Sequence, residues 1–140
     1  MRTWRWGLAL LLVLYAAQST FFAIYSTSLK FGWAHAARNM QRFVPLSNDT
    51  NIVQLAAEWG AIVLFVMTAL RLVRCRPALG IYAAAFALSA GNWLSFKLGT
   101  VYDQTFTVAE QKLDYLLLAA MMWLGLAIWM LEREARVAMR

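Results

Sequence analysis

The sequence predicts an all-α membrane protein, a four-transmembrane-helix antiparallel bundle. Three observations carry that reading. Hydrophobic residues make up 62% of the 140-residue chain and charged residues only 14%, against about 45–50% and about 25% in ordinary globular domains. Mean hydropathy is +0.56, so polar side chains are too few to cover a water-soluble fold of this size. Most of the charges flank four long apolar runs. The composition excludes a soluble enzyme, a disordered chain, a collagen and a coiled coil. The length fits one integral membrane domain over residues 1–140. Open sheet cannot span lipid, and the runs lack the period-two alternation of a barrel strand.

A bilayer core needs about 20 helical residues. The first span is placed near 5–29, where Trp6 to Leu29 is free of Asp, Glu, Lys and Arg. Its basic start (Arg2, Arg5) and the Ala17-Gln18-Ser19 triplet also suit a signal peptide. The apolar run nevertheless continues through Phe21, Phe22, Ala23 and Ile24, so it is read as an uncleaved span.

Residues 30–51 form the first outer loop. Trp33, Ala37, Met40 and Val44 recur at spacings of four, three and four, with His35, Arg38, Asn39 and Arg42 opposite them. That pattern predicts an amphipathic interfacial helix, ended by Pro45. It would lie flat on the headgroup layer, or serve as a lid or partner-docking helix. Asn48-Asp49-Thr50 fits a glycosylation acceptor, a pattern common by chance.

The second span is placed near 52–73 and the third near 77–97, joined by the tight basic turn Arg71 to Pro77. The fourth is placed near 108–131. Asn51 with Gln54, and Thr107 with Glu110, read as capping boxes that start the second and fourth spans. Counting Lys and Arg near the span ends gives eight on the side of both termini and the Arg71–Arg76 turn, and five on the other. The termini are therefore expected in the cytoplasm, with the chain in the cell inner membrane. Trp4, Trp6 and Trp129 suit the inner interface, and Trp33, Trp59 and Trp93 the outer one.

The first and third spans match at an offset of 67, with seven identities between Tyr15 and Gly32, among them Tyr15/Tyr82, Ser28/Ser95, Lys30/Lys97 and Gly32/Gly99. The second and fourth match at an offset of 56, which places Glu58-Trp59 on Asp114-Tyr115. Two repeated helical hairpins are one reading. Chance similarity of apolar sequence is the other.

Polar residues cluster in the outer halves of the spans: Gln18, Ser19 and Thr20, then Glu58, then Asn92 and Lys97, then Lys112 and Asp114. The inner halves are almost wholly apolar. This predicts an outward-facing polar pocket closed below by a dry plug. Ionisable groups at membrane depth are costly and therefore candidates for function. The binding candidates are Glu58, Asp114, Asn92, Gln18 and Lys97. The competing reading is structural, with Lys30, Lys97 or Lys112 clamping the two acids. One histidine and one cysteine cannot supply a bis-histidine haem or a His/Cys zinc site, and no metal or cofactor is expected. Cys75, between Arg74 and Arg76, is an inert interfacial thiol, an activated thiolate or a palmitoylation site.

The first expectation for function is a non-enzymatic accessory or structural subunit. Its partners would be the lipid bilayer and other membrane subunits or further copies of itself. The net charge of +6 suits topology and lipid headgroups, and no nucleic-acid partner is expected. The alternative is an oligomeric ion or small-molecule transporter or channel using Glu58 and Asp114. A lipid-modifying enzyme ranks below both, because no nucleophile and activating group stand at a recognisable spacing.

Overall fold

The computed structural model describes residues 2–33 and 38–137. They fold into α1 (Arg2–Lys30), a 3₁₀ helix (Arg38–Phe43), α2 (Val44–Asp49), α3 (Ile52–Val73), α4 (Leu79–Lys97), α5 (Thr100–Thr105) and α6 (Val108–Val137), with no strand among the described residues. α1, α3, α4 and α6 are each long and apolar enough to cross a membrane. The end of these helices that carries α2 and α5 is here termed the loop end. The opposite end carries the α3–α4 turn.

Local chemistry sets the boundaries. α1 stops where Gly32 adopts a φ of 70°, and the Trp33 N–H returns to the Ser28 carbonyl at 2.8 Å. A glycine takes this left-handed conformation without a Cβ clash. α3 starts at a complete capping box: Asn51 accepts from the Gln54 N–H, and Gln54 accepts from the Asn51 N–H, both at 2.8 Å. α6 starts in the same way, with the Thr107 N–H donating to Glu110 at 2.8 Å and the Glu110 N–H donating to Thr107 at 3.3 Å. Both boxes follow the sequence expectation.

α3 ends at Cys75, whose φ is 53°. Its N–H donates to the Leu72 carbonyl and that of Arg76 to the Arg71 carbonyl, at 3.1 and 2.9 Å. This is a left-handed helix cap occupied by a residue with a Cβ. A left-handed non-glycine residue costs about 1 kcal/mol. Cys75→Gly is therefore expected to raise stability by about 0.5–1 kcal/mol in a detergent unfolding titration. An unchanged or lowered midpoint would refute the strain.

The segment between α1 and α3 departs from expectation. Pro45 does not end a helix. It occupies the first turn of α2, where a missing N–H costs nothing and a fixed φ is already helical. The segment before it is a 3₁₀ helix from Arg38, not an α-helix running through Met40 to Val44. His35 and Ala37, on which the amphipathic pattern also rested, lie outside the described residues.

α1 packs along α3, α3 along α4, and α4 more sparsely along α6. The shared core includes Leu8, Leu12 and Ala16, then Ala61, Phe65, Ala69 and Leu72, then Tyr82 and Ala85, then Met121 and Ile128. The many alanines let backbones approach closely, the usual source of helix affinity in lipid. The Tyr15 and Phe65 rings meet edge to face, with centroids 5.1 Å apart. The Tyr82 hydroxyl donates to the Met121 carbonyl and pins α4 to α6. Among the described residues α1 and α6 form no seam comparable to the other three.

At the loop end α2 packs on α5, α1 and the 3₁₀ helix. The Lys30 ammonium donates to the Asn48 carbonyl at 2.8 Å, and Ser47 donates to the Ser26 carbonyl at 3.0 Å. Arg42 makes a two-point ion pair with Glu110, at 2.5 and 3.2 Å. Beside it the Phe43 and Phe106 rings lie 5.7 Å apart. The layer thus links the end of α1 to the start of α6.

Candidate functional site

Where α1 and α6 stay apart, a cavity of about 960 Å³ opens between α1, α3, α4 and α6. Its loop end is lined by Arg42, Phe43, Leu46, Ser47, Tyr102 and Phe106. Below that layer comes a polar belt of Gln18, Ser19, Glu58, Asn92 and Asp114. Further down it is mostly apolar, with Ile62 and Phe65 one and two turns beyond Glu58, and Leu117 and Ala120 at similar steps beyond Asp114; the hydroxyls there, of Tyr15 and Ser89, lie within hydrogen-bond distance of each other at 3.2 Å. Phe65 is 1% exposed and joins the tight core that closes the far end.

The belt follows from helix register. Glu58 and Asp114 each lie six residues past the first residue of their helices, Ile52 and Val108. At 1.5 Å per residue that is roughly 9 Å along the axis in both cases. Glu58 and Asp114 are half-buried.

Four of the five binding candidates, Glu58, Asp114, Asn92 and Gln18, line this one cavity. Lys97 does not. Its ammonium donates to Asp103 at 2.8 Å and to Gln111 at 2.7 Å, and sits 4.8 Å from the centre of the Tyr102 ring. The clamps between lysines and acids are not formed. Lys30 and Lys97 end their helices level with the loop layer, and that layer takes up both ammonium groups before they reach the acids.

Asp114 instead accepts from the Tyr102 hydroxyl. Burial, with this bond second, pushes the Tyr102 phenol up to about 12, so at neutral pH it is held as a donor. Glu58 has neither a cation within salt-bridge distance nor a hydrogen-bond donor among the described residues. Two further polar atoms of the lining are buried without a partner among the described residues: the Tyr25 hydroxyl and Asn92 Oδ1. Buried polar atoms are normally satisfied, so a group of unsatisfied ones in a cavity marks a place where a ligand or water would bond.

The sequence pattern marks neither Tyr102 nor Tyr25, and it marks Trp93 only as an outer-interface aromatic. Tyr102 sits on α5, too short to show a periodic signal, and Tyr25 reads as an ordinary span aromatic. Glu132 was missed as well. It is 8% exposed, and its Oε1 accepts from the Ala78 and Leu79 N–H groups at 2.6 and 2.8 Å. It caps α4 from α6.

Among the described residues no three His, Cys, Asp or Glu side chains converge as a metal site. Comparison with family models, with curated proteins and with solved structures finds no match to this chain.

Proposed function

We propose that this chain is a multi-pass membrane protein that binds a small positively charged molecule in the cavity around Glu58 and Asp114, as a carrier or receptor rather than as a catalyst. One observation supports this above the others. Glu58 stands without a cationic partner on the wall of a large cavity, at a depth where an acid is costly to keep. Among the described lining residues the two carboxylates have no histidine or cysteine beside them, which suits cation recognition better than bond cleavage.

The arrangement behind the proposal is an antiparallel bundle of two repeated hairpins. α2 and α5 are six residues each and stand at the same offset of 56 as Glu58 and Asp114. Both are followed by a capping box that opens a long helix. The excess of Lys and Arg at the α3–α4 turn and the termini favours a cytoplasmic position for that end, with the cavity facing outward.

A second reading is an accessory subunit that packs against membrane partners. The gap between α1 and α6 favours it, since a partner's helix could complete that edge.

The test uses purified protein in mild detergent with alkylammonium ions from propyl to dodecyl. Some member of the series is expected to raise the unfolding midpoint of the wild type and to leave Glu58→Gln unmoved. Equal effects on both proteins across the whole series would refute the cation site. Co-purification of a membrane partner that Glu58→Gln leaves intact would favour the accessory reading.

A further inference from the structure

The cavity is layered, and its layers succeed one another along the long helices. Its charged side chains and unsatisfied polar atoms lie towards the loop end, while one to two turns below the lining is mostly apolar and its two hydroxyls, Tyr15 and Ser89, bond to each other. A simple inorganic cation would have no use for the lower part. An amphiphile would use both.

Access is layered too. Towards the loop end the cavity meets the linked layer of the 3₁₀ helix, α2 and α5, tied by the Arg42–Glu110 ion pair. On the side between α1 and α6 its walls are open: Phe22 is 45% exposed, Leu116 66% and Leu117 42%, and all three line it. In the two-hairpin reading, this gap is the counterpart of the tightly packed α3–α4 seam. The asymmetry leaves one seam closed and the other open to lipid.

Charge selects the head. The charged residues of the described lining are Arg42, Glu58, Glu110 and Asp114, and Arg42 is already engaged by Glu110. Two acids remain without a cation. A phosphate or carboxylate head would be repelled there, whereas an ammonium supplies donors for Glu58 and for the unsatisfied Asn92 Oδ1.

From the layered lining, the open α1–α6 side and the two uncompensated acids, we infer that the ligand is a single-chain cationic amphiphile, an alkyl amine in chemical class. It enters sideways from the bilayer between α1 and α6. The inference rests on the cation-site reading above and narrows its ligand.

The probe is a dodecylamine carrying a photoactivatable diazirine on its tail, with the full chain reconstituted in phosphatidylcholine bilayers. Crosslinks should concentrate at Phe22, Leu116 and Leu117. Glu58→Gln should reduce them about ten- to a hundredfold, the usual weight of a charge-assisted contact. Excess dodecylamine should compete, and dodecanol and dodecanoate should not. Leu117→Trp, which fills the gap at a half-exposed position outside the tight core, should suppress the crosslinks at Phe22 and Leu116.

Propylamine competing as well as dodecylamine at equal aqueous concentration would show that the head alone is recognised. That would overturn the amphiphile inference and leave the cation site standing. Unchanged labelling in Leu117→Trp would overturn the sideways entry. Labelling spread evenly over the lipid-facing surface and indifferent to Glu58 would overturn the cation site as well.

Discussion

Gly125→Leu is expected to unseat α6 from α4 and to cost about 2–4 kcal/mol of stability. A Cβ at Gly125 would stand 2.9 Å from Tyr82 Cε1 and 3.4 Å from Cδ1. The first distance is too short for any real contact, so the Tyr82 ring would have to move. Little lets it. Tyr82 is 3% exposed, its ring lies 6.0 Å from that of Phe65 and 6.4 Å from that of Phe86, and its hydroxyl is held by the Met121 carbonyl. Moving the ring would break that bond in a setting with no water to replace it. The seam is also the sparsest of the three, so it has few other contacts to absorb the strain.

Gly125→Ala should lose less. The clash costs about 1–3 kcal/mol, against a helix-propensity gain of up to about 1 kcal/mol. Gly80→Ala is the control, since a Cβ there meets nothing within 4 Å. It should be neutral or slightly stabilising. Unfolding midpoints in a detergent series would check the order. Gly125→Leu no worse than Gly80→Ala would refute the close approach.

Much of this arrangement was legible in the sequence, for definite reasons. The spans near 5–29, 52–73, 77–97 and 108–131 match α1, α3, α4 and α6 because lipid admits few alternatives to a long apolar helix. Asn51 and Thr107 marked their helix starts because a capping box is a local signal, complete within four residues. Glu58 and Asp114 both line the cavity, each six residues past the start of its helix, a position that follows from counting residues after the cap.

What escaped depends on contacts between distant segments. The lysine clamps failed because α5, six residues long, is too short to announce itself, yet its Asp103 takes up the Lys97 ammonium. Pro45 was read as a stop because a proline ends a helix and opens one with the same ring. Gly32 and Gly99 align in the repeat, but only Gly32 has a positive φ. Gly99 is extended, at −84°, and leads into α5. The cavity itself rests on a missing α1–α6 seam, which no periodicity reports.

Glu132→Ala is expected to lose about 2–4 kcal/mol, most of it by freeing the start of α4. That helix has no cap of its own. Its N-cap position is Ala78, with no side-chain acceptor, and Pro77 and Leu79 offer none. Oε1 of Glu132 takes the N–H groups of both Ala78 and Leu79, and Ala78 is 1% exposed. Water therefore cannot replace the acceptor at Ala78, and the orphaned donor bears its desolvation cost in full. A negative charge also suits the positive end of the α4 dipole. Arg136, one turn on, lies 3.8 Å from the other carboxylate oxygen but is itself largely exposed, so it adds little.

Glu132→Gln separates the two contributions. It keeps an acceptor oxygen and loses the charge, and should recover more than half of what alanine removes. Hydrogen exchange at the Ala78 and Leu79 amides should speed up strongly in the alanine variant and weakly in the glutamine one. Alanine and glutamine equal in both midpoint and exchange would mean that the cap holds nothing, and that Glu132 only fills space between α6 and the α3–α4 turn.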